Sequence, residues 1–336
     1  MTAPQVFLLI LDAFDPVRLS PHLTPNLWRW ANADGAATGI GRSVMASCTY
    51  PNHASFITGV RPSEHGIWAN HVIREGEVLG AWEAGPLTPT LFDRYGGEAS
   101  AVLGDHHLVG VMGARRAASH WPPNGNLTPD IALDPLAYPA DEAVLPLLVE
   151  AIGSQARLVV GYFGSIDTYS HIYGPGSDEA GAAYQQLDDR IGRLEEAIDW
   201  LSTAVIVVSD HVQDTAAERP GIELRSFLGE ETIVVDEGSA ALIGPLSNPS
   251  VLDGVEGVEG WQQLIDGNVL AWCERGRYFG PFETPLFKGV HGGAHTLTQL
   301  ALVSGGHPTR SALAAMVNAG EVPAESWAGA IAGVLG

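Results

Sequence analysis

The sequence predicts an α/β fold of the doubly wound type, in which helices cover both faces of a mostly parallel sheet. Short, continuously apolar runs are typical of strands that are buried on both faces, and helical patterns lie between these runs. Such alternation along 336 residues favours this fold class. The predicted strands are Val6–Leu11, Ala101–Leu103, Leu158–Tyr162, Ala204–Val208 and Thr232–Val235.

Helical patterns occupy the segments between the predicted strands. The first helix is expected to begin at Pro25, with Thr24 as its N-cap, and Gly35 follows its end. Apolar residues at helical spacing or an alanine-rich composition predict three further helical segments. These are Asp141–Ile152, Asp178–Leu201 and Ser311–Val334.

We expect residues 1–336 to form a single catalytic domain, because a doubly wound sheet with inserted segments reaches this length. Two segments, near 106–140 and 212–285, break the alternation of strands and helices and are rich in turn-forming residues. We interpret both as small cap or side elements that cover the site.

The composition excludes several classes of partner. The formal net charge is −22, with 39 acidic residues against 17 basic ones, and Lys288 is the only lysine. Such a field repels polyanions, so no nucleic-acid polymer is expected as a partner. Two cysteines, Cys48 and Cys273, are too few for a disulfide scaffold. No apolar run approaches the roughly 20 residues that a bilayer requires, so we expect a cytoplasmic protein without a membrane partner.

Aspartate and histidine side chains follow three of the predicted strands. Asp12 follows the first strand, Asp167 and His171 follow the strand at 158–162, and Asp210 and His211 end the strand at 204–208. Each could be a turn or cap residue when taken alone. Their recurrence at the carboxyl ends of strands, where doubly wound sheets bind ligands, predicts a metal site.

A possible nucleophile lies in the segment Ser47-Cys48-Thr49, in a loop before an apparent helix. A hydroxyl at a helix N-terminus lies near free N–H groups and the positive end of the helix dipole, which favour a bound phosphate. The Thr49 hydroxyl is too weakly acidic to attack without a base or a metal. On chemistry alone, Ser47 and Cys48 remain competitors.

These motifs resemble the nucleotide pyrophosphatase/phosphodiesterase branch of the alkaline phosphatase superfamily. The similarity covers nearly the whole chain in order. The matching segments are Leu9–Asp12, Thr24–Leu27, Thr49–Gly59, His65–Ile67 with Asn70, Asp167–Pro175, Ser209–His211 and Gly289–Gly292. The resemblance implies an alkaline-phosphatase-like fold and hydrolysis of a small-molecule phosphate ester, either a diester or a nucleotide pyrophosphate-type bond.

The resemblance also implies two divalent metal ions and a phospho-threonine intermediate on Thr49. Mixed carboxylate and imidazole ligands suit zinc, with manganese and iron as alternatives. Asn70 matches the family asparagine that donates a hydrogen bond to a phosphoryl oxygen. One metal site would comprise Asp167, His171 and His291, and the other Asp12, Asp210 and His211, with the Thr49 oxygen bridging towards it.

The last histidine ligand and the loop after His211 are less strictly specified. His295 competes with His291, and the match to Gly-x-His-Gly favours His291. The family often continues Asp-His-Gly where this chain has Val212, so the shape of the following loop is open.

Two further motifs resemble functional sites. We interpret Asp105-His106-His107 as a loop with exposed histidines. Cys48 suggests a sulfatase, but Thr49 is the residue that lies two positions before Pro51, where a sulfatase has its cysteine, and no arginine lies two positions after that proline.

Asn70 and the lack of an arginine beside the nucleophile favour a diester substrate. A hydrolase of the phosphonoacetate type, which cleaves a P–C bond, and a phosphomonoesterase are the alternative enzymes. Phosphonoacetate hydrolases hold their substrate with lysines, and Lys288 is a poor match. An inactive, metal-binding relative that serves as an interaction module is the non-enzymatic alternative.

Overall fold

A computed structural model describes residues 5–336, so that residues 1–4 of the expected domain lie outside the described part. The strands are β1 (Gln5–Leu11), β2 (Ala37–Arg42), β3 (His71–Arg74), β4 (Glu77–Gly80), β5 (Ala99–Leu103), β6 (Ser119–Trp121), β7 (Leu158–Phe163), β8 (Thr203–Val208), β9 (Asp214–Thr215), β10 (Val234–Glu237), β11 (Ala240–Ile243), β12 (Val258–Gln263), β13 (Val269–Cys273), β14 (Gly289–Val290), β15 (Thr298–Gly305) and β16 (Val322–Pro323).

Helices connect these strands. The α-helices are α1 (Pro25–Ala31), α2 (Thr49–Thr58), α3 (Pro62–His65), α4 (Ala81–Ala84), α5 (Leu91–Tyr95), α6 (Leu108–Val111), α7 (Asp141–Ile152), α8 (Ser165–Tyr173), α9 (Asp178–Leu194), α10 (Arg225–Leu228), α11 (Arg310–Asn318) and α12 (Ser326–Leu335). No helix within residues 5–336 is both long and apolar enough to cross a membrane.

The main sheet has eight strands in the order β16-β2-β15-β8-β1-β7-β5-β6. Every pair is parallel except the two pairs that β15 makes with β2 and β8. The predicted fold class, a mostly parallel sheet between helices, is therefore confirmed. Because β1 lies between β7 and β8, the three predicted strands that precede ligand-type residues are direct neighbours.

The core has two layers, one on each face of the sheet. Leu8 and Ile10 of β1 belong to one layer, which contains apolar residues of α2, α11 and α12. Phe7 and Leu9 belong to the other layer, with apolar residues of α1, α7 and α9. All four side chains have zero exposure, as expected for a strand covered on both faces.

Several predicted elements differ from those observed. The segment 232–235 is not a parallel strand of the main sheet, because its residues from Val234 onward form β10 of a separate antiparallel sheet, β10-β11-β13-β12. The helix predicted over Asp178–Leu201 ends at Leu194 and continues as one turn of 3₁₀ helix. The Ser311–Val334 segment is two helices, α11 and α12, because β16 interrupts it. Thr24 does not cap α1, since its hydroxyl instead bonds the backbone carbonyl of Ser20.

Candidate active site

Asp12, Asp210 and His211 meet where two adjacent parallel strands end. Ile10 of β1 pairs with Val208 of β8, so the residues that follow them emerge side by side. The Nε2 atom of His211 lies 3.5 Å from Oδ1 of Asp12 and 3.6 Å from Oδ2 of Asp210. This buried group is called cluster A below.

Asp167, His171 and His291 form a second group, called cluster B. Asp167 and His171 lie one turn apart on α8, and His291 directly follows β14. Nε2 of His171 is 3.3 Å from Oδ2 of Asp167 and 3.2 Å from Nε2 of His291. The His291 ring also stacks on His211 of cluster A, with the ring centroids 3.8 Å apart, so the two clusters adjoin.

Backbone carbonyls orient both histidines of cluster B. Nδ1 of His171 lies 2.8 Å from the carbonyl oxygen of Gly289, and Nδ1 of His291 lies 3.1 Å from that of Ser47. A carbonyl oxygen only accepts hydrogen bonds, which assigns the ring proton to Nδ1 and leaves the Nε2 lone pair towards the cluster. This is the usual arrangement of a metal-binding histidine.

Thr49 is the first residue of α2, and its side chain reaches cluster A. Its Oγ1 lies 3.3 Å from Nε2 of His211 and borders the cavity described below. Ser47 is fully buried and bonds the Gly293 carbonyl and the Thr296 hydroxyl, at 2.7 Å each. Cys48 is also fully buried, and burial raises the pKa of its thiol well above the ordinary value. Thr49 is therefore the one residue of this segment with an available nucleophilic oxygen.

The carboxylates of cluster A are buried in a setting that disfavours their ionised forms. Burial, together with repulsion from Asp210 and Asp167, raises the pKa of Asp12 well above its ordinary value. Burial likewise raises the pKa of Asp210 to about 6. Among residues 5–336, no arginine or lysine forms an ion pair with either side chain. Asp12 Oδ1 and Asp210 Oδ2 are buried without a hydrogen-bond partner in the same range.

His211 and His291 are held in the neutral form. Burial lowers the pKa of His211 to about 4, and burial and the neighbouring His211 lower the pKa of His291 well below its ordinary value. In cluster A, a neutral imidazole lies beside unpartnered carboxylate oxygens, which is the donor set of a divalent cation. In each cluster one ligand atom per residue lies within 4.8 Å of the others, so both clusters fit a metal ion.

A cavity of about 180 Å³ opens above the two clusters. Asn70 borders it, and its Oδ1 accepts a hydrogen bond of 3.1 Å from the backbone N–H of Tyr50, which leaves the NH₂ group as the donor end. No lysine or arginine occurs among the described residues that line the cavity. They are Asp12, Thr49, Tyr50, Asn70, Gly104, Asp105, Asp134, Leu136, Tyr138, Pro139, Tyr162, Gly164, Asp167, Thr168, His171, Phe287 and His291.

Three site residues were not identified from the sequence. The Tyr162 hydroxyl donates to Oδ2 of Asp12, and Nε2 of Gln213 lies 3.2 Å from the carbonyl of Asp167 and also bonds its carboxylate. The ring of Phe287 packs on His171. Tyr162 could have been found from its place at the end of β7, but no local pattern singles out the other two.

The remaining predicted residues are placed as follows. His291 lies in cluster B, whereas His295 is exposed and pairs with Glu259 at 3.0 Å. Val212 has no left-handed backbone angle, so this loop does not require the family glycine.

The expectation of exposed histidines at positions 106 and 107 is wrong. Asp105 is buried and both rings are half-buried. The His107 ring stacks on Trp82 at 4.0 Å, and its Nδ1 lies 3.0 Å from the Tyr50 hydroxyl. The loop thus folds inward against the residue next to Thr49, because these ring contacts hold it there.

The chain is similar to known proteins in sequence and in fold. The family profile of the type I phosphodiesterase / nucleotide pyrophosphatase matches residues 6–257. Human ectonucleotide pyrophosphatase/phosphodiesterase family member 1 is 27% identical over 228 residues, which are 64% of this chain and 24% of that protein. The chain thus spans about a quarter of the length of this relative.

Two solved structures share the fold. One is an inactive variant of murine ectonucleotide pyrophosphatase/phosphodiesterase 5 in complex with AMP, with a TM-score of 0.76 at 17% identity, covering 99% of this chain and 95% of that one. The other is phosphonoacetate hydrolase from Sinorhizobium meliloti 1021 in complex with phosphonoformate. Its TM-score is 0.71 at 18% identity, and the match covers 99% of this chain and 96% of that one.

Proposed function

Because this chain belongs to the type I phosphodiesterase / nucleotide pyrophosphatase family, we propose that it hydrolyses phosphate diesters or nucleotide pyrophosphate-type bonds, with Thr49 as the nucleophile. The observation that carries the proposal is the position of the Thr49 hydroxyl. It lies at the N-terminus of α2, 3.3 Å from a histidine of cluster A and in the wall of the cavity that both clusters share.

Cluster A and cluster B would each hold one divalent metal ion, with zinc as the proposed metal. Ions bound there would lower the pKa of the Thr49 hydroxyl and offset the charge that develops on the leaving oxygen. Tyr162 and Gln213 support this arrangement, since they donate hydrogen bonds to the carboxylates of Asp12 and Asp167 and so fix the orientation of those groups.

The reaction would proceed in two displacements. The Thr49 hydroxyl loses its proton to solvent. Its oxygen forms a bond to phosphorus while the bond to the leaving oxygen breaks, which gives a phospho-threonine ester and a leaving oxygen that keeps the electron pair. Asn70 would donate a hydrogen bond to a phosphoryl oxygen, and the N-terminal dipole of α2 would stabilise the negative charge. Water then cleaves the ester and restores the threonine hydroxyl.

The charge of the cavity favours a diester over the alternatives. A diester carries one negative charge at the phosphoryl group, whereas a phosphomonoester or phosphonoacetate carries more. No arginine or lysine among the described residues lines the cavity to bind that extra charge. This chain shares the fold of phosphonoacetate hydrolase, but the described residues of its cavity include no lysine or arginine that could bind a substrate carboxylate.

The test is to replace Thr49 with alanine and to use Thr58→Ala, at the other end of the same helix, as the control. Zinc-loaded wild type is expected to hydrolyse bis-p-nitrophenyl phosphate faster than p-nitrophenyl phosphate or phosphonoacetate. Thr49→Ala should lose on the order of 10³-fold or more in kcat while its zinc content stays unchanged. Substantial turnover by Thr49→Ala would refute the nucleophile. Preference for phosphonoacetate would support the alternative reaction, and no turnover of any compound would support an inactive relative.

A further inference from the structure

Phe287 places an apolar surface beside cluster B. Its ring centroid is 4.9 Å from that of His171, its side chain borders the cavity, and 39% of it is exposed. The next residue fixes its position, because the backbone N–H of Lys288 donates to the His171 carbonyl at 2.7 Å and the Lys288 carbonyl accepts from Ala216 at 2.8 Å. The backbone at Phe287 is therefore fixed next to cluster B, and its ring is partly exposed to the cavity.

The geometry of the displacement assigns this ring to the leaving group. In an in-line displacement the attacking and leaving oxygens lie on opposite sides of phosphorus. Thr49 lies against His211 of cluster A, so the leaving oxygen is directed away from cluster A. Cluster B adjoins cluster A through the stacked rings of His291 and His211, so it would lie beside the leaving oxygen, and the ring of Phe287 packs on its His171.

Within residues 5–336, no lysine or arginine is available there for a polyanionic leaving group. The described cavity wall contains no lysine or arginine. Lys288, the only lysine of the chain, follows Phe287 but points to Glu218, with its Nζ 2.6 Å from the carboxylate in an exposed ion pair. A pyrophosphate leaving group would add several negative charges to this unneutralised surface, whereas an aromatic ring would pack on Phe287.

We propose that Phe287 forms a leaving-group subsite that selects esters with an aromatic or otherwise apolar leaving group over those that release pyrophosphate. The inference rests on the proposed function of Thr49. The P–O bond to the leaving group breaks, the leaving oxygen keeps the electron pair as phenolate, and the second displacement consumes one water molecule. Phe287 is a specificity residue that takes no proton.

The test compares two substrates that release the same nucleotide. The p-nitrophenyl ester of thymidine 5′-monophosphate loses p-nitrophenolate, and thymidine 5′-triphosphate loses pyrophosphate. We expect Phe287→Ala to lower kcat/KM for the aryl ester by about tenfold, the range of an aromatic pair, and for the triphosphate by less than about twofold. Phe282→Ala and Lys288→Ala are the controls, because both side chains are exposed and neither borders the cavity. They should leave both values unchanged.

Two further measurements distinguish the possible failures. The zinc content of Phe287→Ala should equal that of the wild type. Calorimetry should compare the double variant Thr49→Ala/Phe287→Ala with Thr49→Ala alone. The double variant should bind the p-nitrophenyl ester more weakly and the triphosphate equally well. Loss of zinc, or an equal loss on both substrates, would show that Phe287 acts through His171 and would overturn the subsite. The subsite would also be overturned if the wild type preferred the triphosphate to the aryl ester and Lys288→Ala abolished that preference. Turnover of neither compound by the zinc-loaded wild type would refute the proposed function together with the inference.

Discussion

Replacing Asp210 with asparagine is expected to stabilise the metal-free protein at neutral pH. Asp210 has zero exposure, and its Oδ2 has no hydrogen-bond partner among residues 5–336. A pKa of about 6 in place of the ordinary 3.8 corresponds to an ionisation penalty of about 3 kcal/mol above pH 6. Asparagine keeps an oxygen for the N–H groups of Ala13 and His211 at 3.1 and 3.0 Å. Its new buried NH₂ group offsets about 1–2 kcal/mol of the gain.

The expected net effect is about 1–2 kcal/mol in the free energy of unfolding, measured by urea denaturation in EDTA at pH 7.5. The sign follows from the raised pKa of folded Asp210. Proton binding stabilises the folded wild type fully below the unfolded pKa near 3.8, and this contribution is lost as the pH rises through about 6. The advantage of Asp210→Asn should therefore shrink from pH 7.5 to pH 5.

With saturating zinc the order of stability should reverse, because the variant lacks a proposed ligand and gains less from metal binding. Asp34→Asn is the matched control, since Asp34 is exposed and lies outside both clusters. It should change none of these values. A metal-free Asp210→Asn protein that is less stable than the wild type at pH 7.5, or a difference that does not vary with pH, would refute the electrostatic reasoning.

Two other predictions concern the phosphoryl group and the metal sites. Asn70→Ala should lower kcat/KM for bis-p-nitrophenyl phosphate by about 10²-fold, because one hydrogen-bond donor to the phosphoryl group is lost, and its zinc content should not change. A decrease of less than about tenfold would contradict that role. His291→Ala should lower bound zinc from about two ions to about one per chain, as measured by mass spectrometry, whereas His295→Ala should keep both. Equal zinc loss in the two histidine variants would contradict the assignment of cluster B.

The predicted fold followed from strands whose burial is visible as continuous apolar runs. Val6–Leu11 and Ala204–Val208 correspond to β1 and β8 to within one residue. The strand β2 has the sequence Ala-Thr-Gly-Ile-Gly-Arg, and its burial alternates without a clear apolar pattern, so nothing local predicts it. The end of α9 is likewise set by a 3₁₀ turn at Glu195–Ala197 rather than by a break in the apolar spacing.

Five ligand-type residues of the candidate site were predictable because strand ends converge by topology, whereas His291 was predicted only from the family resemblance. Two of the groups that orient them were not, because they are distant in sequence and follow no local pattern. Gln213 reaches Asp167 across 46 positions, and the carbonyl that orients His171 belongs to Gly289, 118 positions away. Only the folded chain brings such pairs together.

The antiparallel strand β15 makes the proposed active site depend on a segment that is synthesised after nearly all of the predicted site residues. It lies between β2 and β8, and it bonds the residues next to His211: Gln299 donates to the carbonyl of Asp210 and Leu300 to the hydroxyl of Ser209. A nascent chain that ends before Gly305 would expose both neighbouring strands as unpaired edges, which are sites of aggregation. The proposed nucleophile and the cluster residues up to position 211 thus emerge from the ribosome well before β15, the strand that bonds the segment next to His211.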